Sequence, residues 1–413
     1  MRRVVVTGMG AISALGNDAA SLWQGLLAGR SGIARISKFD PSRLPTQIAG
    51  EVKGFDPSSR LDPKAARRMD LFCQYALWSA IEAVQDAKID FAAERADRCG
   101  AIVGSGMGGI HTWETEFRKF VEKGPSRISP LMIPMMIPDM AAGQIAIQFK
   151  LRGPNFATVS ACASGAHAIG ESYRLIKYGA ADVIVTGGSE AAVTEFTVGG
   201  FSNMQALSKR NDEPEKASRP FDRDRDGFVV AEGAGIFVVE ELEHARKRGA
   251  RIYCEIAGYG ATGDGYHITA PAPEGVGARE AMQMAIEDSG VGIDGVDYIN
   301  AHGTSTDLND LTETQAIKRL FGEHATKLVV NSSKSMIGHA LGASGALEFA
   351  VTCLSVVHQK VHRTLNLDNP DTEMTLDYVR EGTRDVRIRS ALSNSFGFGG
   401  HNCCLLAKKY ADA

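Results

Sequence analysis

Three short segments of this chain recur in the same order. Val6-Thr7-Gly8-Met9-Gly10-Ala11 returns as Ile256-Ala257-Gly258-Tyr259-Gly260-Ala261, Ala80-Ile81-Glu82 as Ala285-Ile286-Glu287, and Ala163-Ser164-Gly165-Ala166 as Ala343-Ser344-Gly345-Ala346. The offset falls from 250 to 205 to 180 residues, so the first copy carries the insertions. Ordered self-similarity of this kind predicts a duplicated α/β unit, with halves over 1–250 and 251–413 and a boundary where Arg246-Lys247-Arg248-Gly249 ends a helix. Apolar runs that read as strands fall at Val4–Thr7, Gly100–Val103, Val183–Thr186, Ile236–Glu240, Tyr298–Ala301 and Leu328–Asn331. The charged stretch 209–225 reads as a loop too polar to bury its backbone.

Composition narrows the function classes. With 45 Lys and Arg against 49 acids the net charge is −4, which argues against nucleic acid as the main partner. The seven cysteines are scattered without a CxxC pair or zinc-ligand spacing, which predicts a reduced, cytoplasmic protein. Met1-Arg2-Arg3 leads into an apolar run that stops at Gly8, so the N-terminus reads as a first strand and not a signal peptide. Leu131–Met140 is broken by Pro134 and Pro138, and no segment is expected to reach the roughly 20 residues of a membrane span. The 45 glycines sit in clusters, which calls for tight turns or close backbone approach.

Three clusters of residues could carry chemistry. Phe156 to Val159 reads as a strand running into a helix that stops at Gly179, with Cys162 in its first turn. Cys162, Ala166, Ile169, Tyr173 and Ile176 form one apolar stripe, the pattern of a core cysteine. The helix start and the small neighbours instead fit a nucleophile whose pKa the unpaired N–H groups and helix dipole would lower. In the second half, His302 and His339 each follow an apolar strand, and Lys334 lies five residues before His339. Together with Cys162 they could form a thiol site with imidazole donors. A metal reading is weaker, since no carboxylate or third histidine stands at ligand spacing. Gly104-Ser105-Gly106-Met107-Gly108-Gly109 has the spacing of a dinucleotide-binding loop, but no acid follows at the end of a second strand.

Taken together, these boxes resemble the β-ketoacyl-acyl carrier protein synthases, the condensing enzymes of fatty-acid synthesis. The resemblance covers essentially the whole chain, through Ser218-Arg219-Pro220-Phe221-Asp222, His302-Gly303-Thr304-Ser305-Thr306, Lys334 to His339, and Asn394-Ser395-Phe396-Gly397-Phe398-Gly399-Gly400. It implies a thiolase-like fold, five layers α-β-α-β-α in two duplicated halves, as a homodimer. It also implies decarboxylative condensation of malonyl-acyl carrier protein with an acyl chain held on Cys162, with no cofactor beyond the carrier's phosphopantetheine arm.

In that reading His302 and His339 bind the malonyl thioester carbonyl. Phe398 is the gate, and its N–H joins that of Cys162 at the oxyanion. Lys334 and Glu348 form a supporting ion pair, Thr304 and Thr306 hold the phosphopantetheine, and Met107 and Phe201 line the acyl pocket. Lys64, Arg67 and Arg68 would share a helical face that docks acidic carrier protein, with Arg127 beside them. Asn300, Glu348, Ser393 and Asn394 match a structural cation site. The segment with Met132, Met135, Met136 and Met140 would reach the dimer interface, although a Met-rich core reads equally well. Polyketide ketosynthases share the motifs, and chain-length-factor-like partners share the fold but lack the cysteine.

Overall fold

A computed structural model describes residues 1–411; the last two residues of the expected second half lie outside it. Ten strands form the main sheet: β1 Val4–Ile12, β2 Cys99–Gly104, β3 Asn155–Thr158, β4 Val183–Glu190, β5 Gly233–Glu241, β6 Cys254–Gly263, β7 Tyr298–Asn300, β8 Val329–Asn331, β9 Ser390–Gly397 and β10 His401–Lys408. Their order is β3-β2-β4-β5-β1-β6-β10-β9-β7-β8. Each run of five is thus ordered third, second, fourth, fifth, first. The directions repeat as well. β4 and β3 run parallel to β2, as β9 and β8 do to β7, and the remaining pairs are antiparallel. β1 and β6 join the two runs through Val4–Ile256, Val5–Glu255 and Val6–Cys254.

Alternation along the strands builds five layers. On β4, Val183 and Val185 face helices α1 (Leu71–Ala87) and α2 (Met140–Phe149), while Ile184 faces inward. The inner layer is α3 (Ser164–Lys177) against its counterpart α6 (Ser344–His358). On β10, Leu405 faces this layer, while Cys404 and Leu406 face α4 (Val276–Ser289) and α5 (Asp307–Phe321). The layers are α-β-α-β-α, as the resemblance implied.

The echoed glycines mark where helices press on strands. A Cβ on Gly8 would lie 2.1 Å from the Ala83 carbonyl oxygen, and one on Gly258 2.0 Å from that of Ala285. Met9 N–H donates to Asp86 at 3.0 Å, and Tyr259 N–H to Asp288 at 3.2 Å. These pairs place the helices 202 residues apart, so the sequence echo at 205 was about one helical turn out of register.

Two other expectations are corrected. Residues 341–358 have the length and mean hydropathy, 1.4, of a membrane span, yet 89% of the window is buried, because it comprises α6 and its lead-in turn inside the molecule. The stretch 209–225 is largely loop, but Arg219, Asp222 and Arg225 are buried. Its polar groups are satisfied internally: Asp222 accepts from the Arg219 guanidinium and from the N–H groups of Asp224 and Asn369.

Candidate active site

Cys162 lies in a 3-10 turn, Ala161–Ala163, immediately before α3, and the left-handed backbone of Ala161 (φ +50°) aims it at the second half of the chain. Thr158, Ser160 and Ser164 brace the turn through the bonds Thr158 Oγ1 to Ser164 O (2.7 Å), Ser164 Oγ to Ala161 O (2.7 Å) and Ser160 N to Ser164 Oγ (2.9 Å). The turn recurs at Leu341–Ala343 before α6, where Leu341 has φ +47°. There Gly342 occupies the position of the cysteine.

The two histidines converge on the thiol. His339 Nε2 is 3.0 Å from Cys162 Sγ and its Nδ1 is 2.8 Å from Ser344 Oγ. The His302 ring stands edge-on to it, with centroids 5.4 Å apart. Lys334 Nζ donates to the His302 carbonyl at 2.7 Å, pairs with Glu348, and lies 3.3 Å from His302 Nδ1. An ammonium can only donate, so Nδ1 accepts and the His302 proton sits on Nε2. Thr304 and Thr306 hydroxyls are 2.8 Å apart. A cavity of about 370 Å³ is lined by Cys162, His302, His339, Thr304, Thr306, Met107, Phe201 and Phe398. Lys334 and Glu348 lie buried outside that lining.

The electrostatics are those of a buried site. Burial pushes the Cys162 thiol up to about 12, against the pull of the Lys334 ammonium and the Phe398 N–H. This corrects the expectation of a thiol acidified by its helix start: desolvation of the thiolate outweighs the lowering by Lys334 and the Phe398 N–H. Burial, reinforced by Lys334, holds both imidazoles well below the usual range, with His339 further depressing His302. Both rings are therefore neutral at pH 7. Burial raises Glu348 to about 7 although Lys334 opposes it. Donor atoms of Cys162, His302 and His339 lie within 4.8 Å of one another, a spacing the sequence could not show. The nearby Lys334 ammonium disfavours a cation there.

Not every expected residue belongs to this cluster. Lys64, Arg67, Arg68 and Arg127 are exposed and have no ion-pair partner among the described residues. The helix at Lys64 is only Pro63–Ala66, so Arg67 caps it and Arg68 follows it; the single helical face is replaced by a basic turn. The methionines at 132, 135, 136 and 140 are half-buried, and of the four Met140 packs against the core under β2 and β4.

Two acids were missed. Glu313 on α5 accepts from the N–H groups of His302 and Gly303, both at 2.9 Å, and from Asn394 Nδ2 at 3.0 Å. Glu190 accepts from Gly106 N (2.7 Å), Met107 N (3.1 Å), Gly342 N (3.0 Å) and Ser105 Oγ (2.9 Å). The available signal was an acid on a core-facing position: Asp310, Glu313, Thr314, Ile317 and Phe321 form one buried face of α5.

Comparison with known proteins decides the family. The model of the β-ketoacyl synthase N-terminal domain matches residues 1–245, and that of the C-terminal domain matches 253–368. The chain belongs to the β-ketoacyl synthase family. Among its relatives, 3-oxoacyl-(acyl-carrier-protein) synthase 2 of Synechocystis is 51% identical over 99% of this chain and 98% of its own. The Staphylococcus aureus protein of the same name is 51% identical over 99% of both chains. Among solved structures, a β-ketoacyl synthase from Burkholderia phymatum superposes with TM-score 0.92 at 37% identity over 100% of both chains. A type II polyketide ketosynthase system, solved as the acyl-carrier protein in complex with its ketosynthase, has TM-score 0.93 at 32% identity, covering 99% of this chain and 100% of that one. This β-ketoacyl synthase accordingly has the thiolase-like fold and the acyltransferase chemistry of chain-elongating condensing enzymes.

Proposed function

We propose that Cys162, His302 and His339 carry out the two half-reactions of a fatty-acid-elongating condensation. The observation that carries the assignment is a buried thiol 3.0 Å from one neutral imidazole, with a second neutral imidazole beside it. In the first half-reaction Sγ attacks an acyl thioester as His339 Nε2 takes its proton, which suits a thiol too weakly acidic to ionise beforehand. The N–H groups of Cys162 and Phe398 receive the oxyanion. Collapse releases the carrier thiol, which leaves with that proton, and the acyl chain stays on Cys162.

In the second half-reaction, Nε2–H groups of His302 and His339 donate to the malonyl thioester carbonyl. The bond to the carboxylate breaks, carbon dioxide leaves, and its electron pair forms the enolate. The enolate carbon attacks the acyl-cysteine, the C–S bond breaks, and Sγ is reprotonated, one proton being consumed per carbon dioxide. The Ser344 hydroxyl can donate or accept, so it supports either tautomer of His339 across the two steps.

The other assignments follow from position. Thr304 and Thr306 hold the phosphopantetheine arm, Met107 and Phe201 bound the acyl chain, and Lys334 with Glu348 fixes His302. The basic turn of Lys64, Arg67 and Arg68, with Arg127, docks an acidic acyl carrier protein. Asn300, Glu348, Ser393 and Asn394 fit a structural cation: Asn300 Oδ1, Glu348 Oε2 and Ser393 Oγ are buried without a hydrogen-bond partner. Phe156 on the edge strand β3 and Val159 just after it are exposed, as are Leu131 and Ile133, and these apolar side chains support a homodimer. The chain is read as cytoplasmic and as one duplication, 1–250 and 251–413. Identity of 51% to synthase 2 proteins against 32% to the polyketide system supports fatty-acid elongation. The test is intact mass after incubation with acyl-carrier protein: the native chain gains one acyl group, and Cys162→Ala gains none while it still folds. An adduct on the folded variant would overturn the nucleophile.

A further inference from the structure

Glu190 occupies a position that the duplication makes informative. It is the last residue of β4, an eight-residue strand whose counterpart, β9, is also eight residues long and ends at Gly397. In the first arrangement Gly397 packs on the nucleophile turn: a Cβ there would lie 2.7 Å from Ser160 O and 3.1 Å from Cys162 N. The glycine thus leaves the Cys162 N–H open, and Phe398 follows it. In the mirrored arrangement the same two elements meet, the end of β4 and the turn Leu341–Ala343, but the strand ends in a side chain. Its carboxylate accepts from Gly342 N, the counterpart of the cysteine N–H, and from Gly106 N and Met107 N just beyond β2.

We propose that Glu190 is a built-in anion filling the pseudo-symmetric twin of the oxyanion hole, and that it acts as a positioning residue for Met107 in the acyl pocket. The proposal rests on the reading of Cys162 and Phe398 as oxyanion donors. Three backbone N–H groups and the Ser105 hydroxyl converge on one fully buried carboxylate, the donor geometry that an oxyanion hole presents. One Glu190 oxygen bridges Gly106 N and Gly342 N, and the other takes Ser105 Oγ and Met107 N. The carboxylate therefore ties the loop bearing Met107 to the turn three residues past His339. Without it, four donors lose their acceptor and the loop is free to shift.

The experiment uses Glu190→Ala and Glu190→Gln in the full chain, with formate as the probe and formamide as the neutral control. In Glu190→Ala, formate should raise the melting midpoint, while the native chain and Glu190→Gln, whose sites are filled, should not respond. Acylation of Cys162 in Glu190→Ala should fall by about 10²-fold, the scale of an ångström-level misplacement, most for the longest acyl chains, and formate should restore part of it. Formate without effect on a folded Glu190→Ala overturns the anion site. Native acylation rates and chain-length profile in that variant overturn the positioning role. Should Glu190→Ala fold only in formate, the anion site is supported. Should it not fold at all, Glu190→Gln decides, and native rates and chain profile there overturn the proposal. If the native chain itself does not acylate, the function reading fails, and the formate-dependent midpoint still tests the anion site alone.

Discussion

His302→Ala separates the two half-reactions. In the structure only His339 is hydrogen-bonded to the thiol, at 3.0 Å, whereas the His302 ring stands edge-on to the His339 ring. Truncating His302 leaves Lys334 bonded to the residue 302 carbonyl and paired with Glu348, so the buried lysine keeps its partners. In the proposed mechanism, what is lost is one neutral Nε2–H donor to the malonyl carbonyl. Removing a single donor of this kind costs about 10²–10³ in kcat, or roughly 2.7–4 kcal/mol of transition-state stabilisation. Acyl transfer, for which His339 is the proposed base, should stay within about threefold of native, below the roughly 0.7 kcal/mol such a factor represents. His339→Ala should lower both, because it removes the base and a donor together. The assay follows acyl-enzyme mass and carbon dioxide release in parallel on the same preparation. Equal loss of both activities in His302→Ala, or undiminished carbon dioxide release, would refute the division of labour between the rings.

Three further outcomes follow from the geometry. Replacing Lys64, Arg67 and Arg68 with Glu should raise KM for carrier-bound substrate while kcat holds; an unchanged KM removes the docking face. His244 is bonded to Glu240 at 2.7 Å and Glu94 at 2.9 Å, and these bonds, Glu240 first, raise its pKa to about 9 against burial. Because the folded value exceeds the ordinary 6.5, this stabilisation is complete below pH 6.5 and is lost as pH rises toward 9. His244→Ala should flatten the fall in melting midpoint over that window, and an unaltered slope would deny the linkage. Gly8→Ala and Gly258→Ala should each destabilise by about 1–3 kcal/mol or more, because the new Cβ meets helix backbone at 2.1 and 2.0 Å. Denaturant unfolding checks this, and a neutral result at either position would contradict the shared packing.

The parts of the site that were legible in sequence are those written locally. Cys162, His302, Lys334 and His339 sit in boxes at strand exits, and a box keeps its spacing however the halves pack. The duplication was visible for the same reason, since Gly8 and Gly258 are demanded by contact with the helix that packs on their strand. The echo at Ala80 was set by residue identity, whereas the true register is set by which carbonyl meets the glycine, Ala83 against Ala285. Glu313 and Glu190 escaped because their meaning is tertiary: Glu190 accepts from N–H groups 83 to 152 residues away, and Glu313 ties the His302 turn to Asn394, 81 residues further on. The thiol pKa was misjudged for the same reason, as the helix start is local while the burial that raises the thiol comes from both halves. The stretch 209–225 looked too polar to bury until Asn369 and Arg219 are seen to satisfy Asp222.

The most direct test supplies the native protein with malonyl-acyl carrier protein and a ladder of acyl-carrier proteins, and follows carbon dioxide and product mass together. A 3-oxoacyl product two carbons longer, with one carbon dioxide per product and none from Cys162→Ala, is the expected result. Absence of condensation by the folded native chain, or its persistence in Cys162→Ala, would contradict the account.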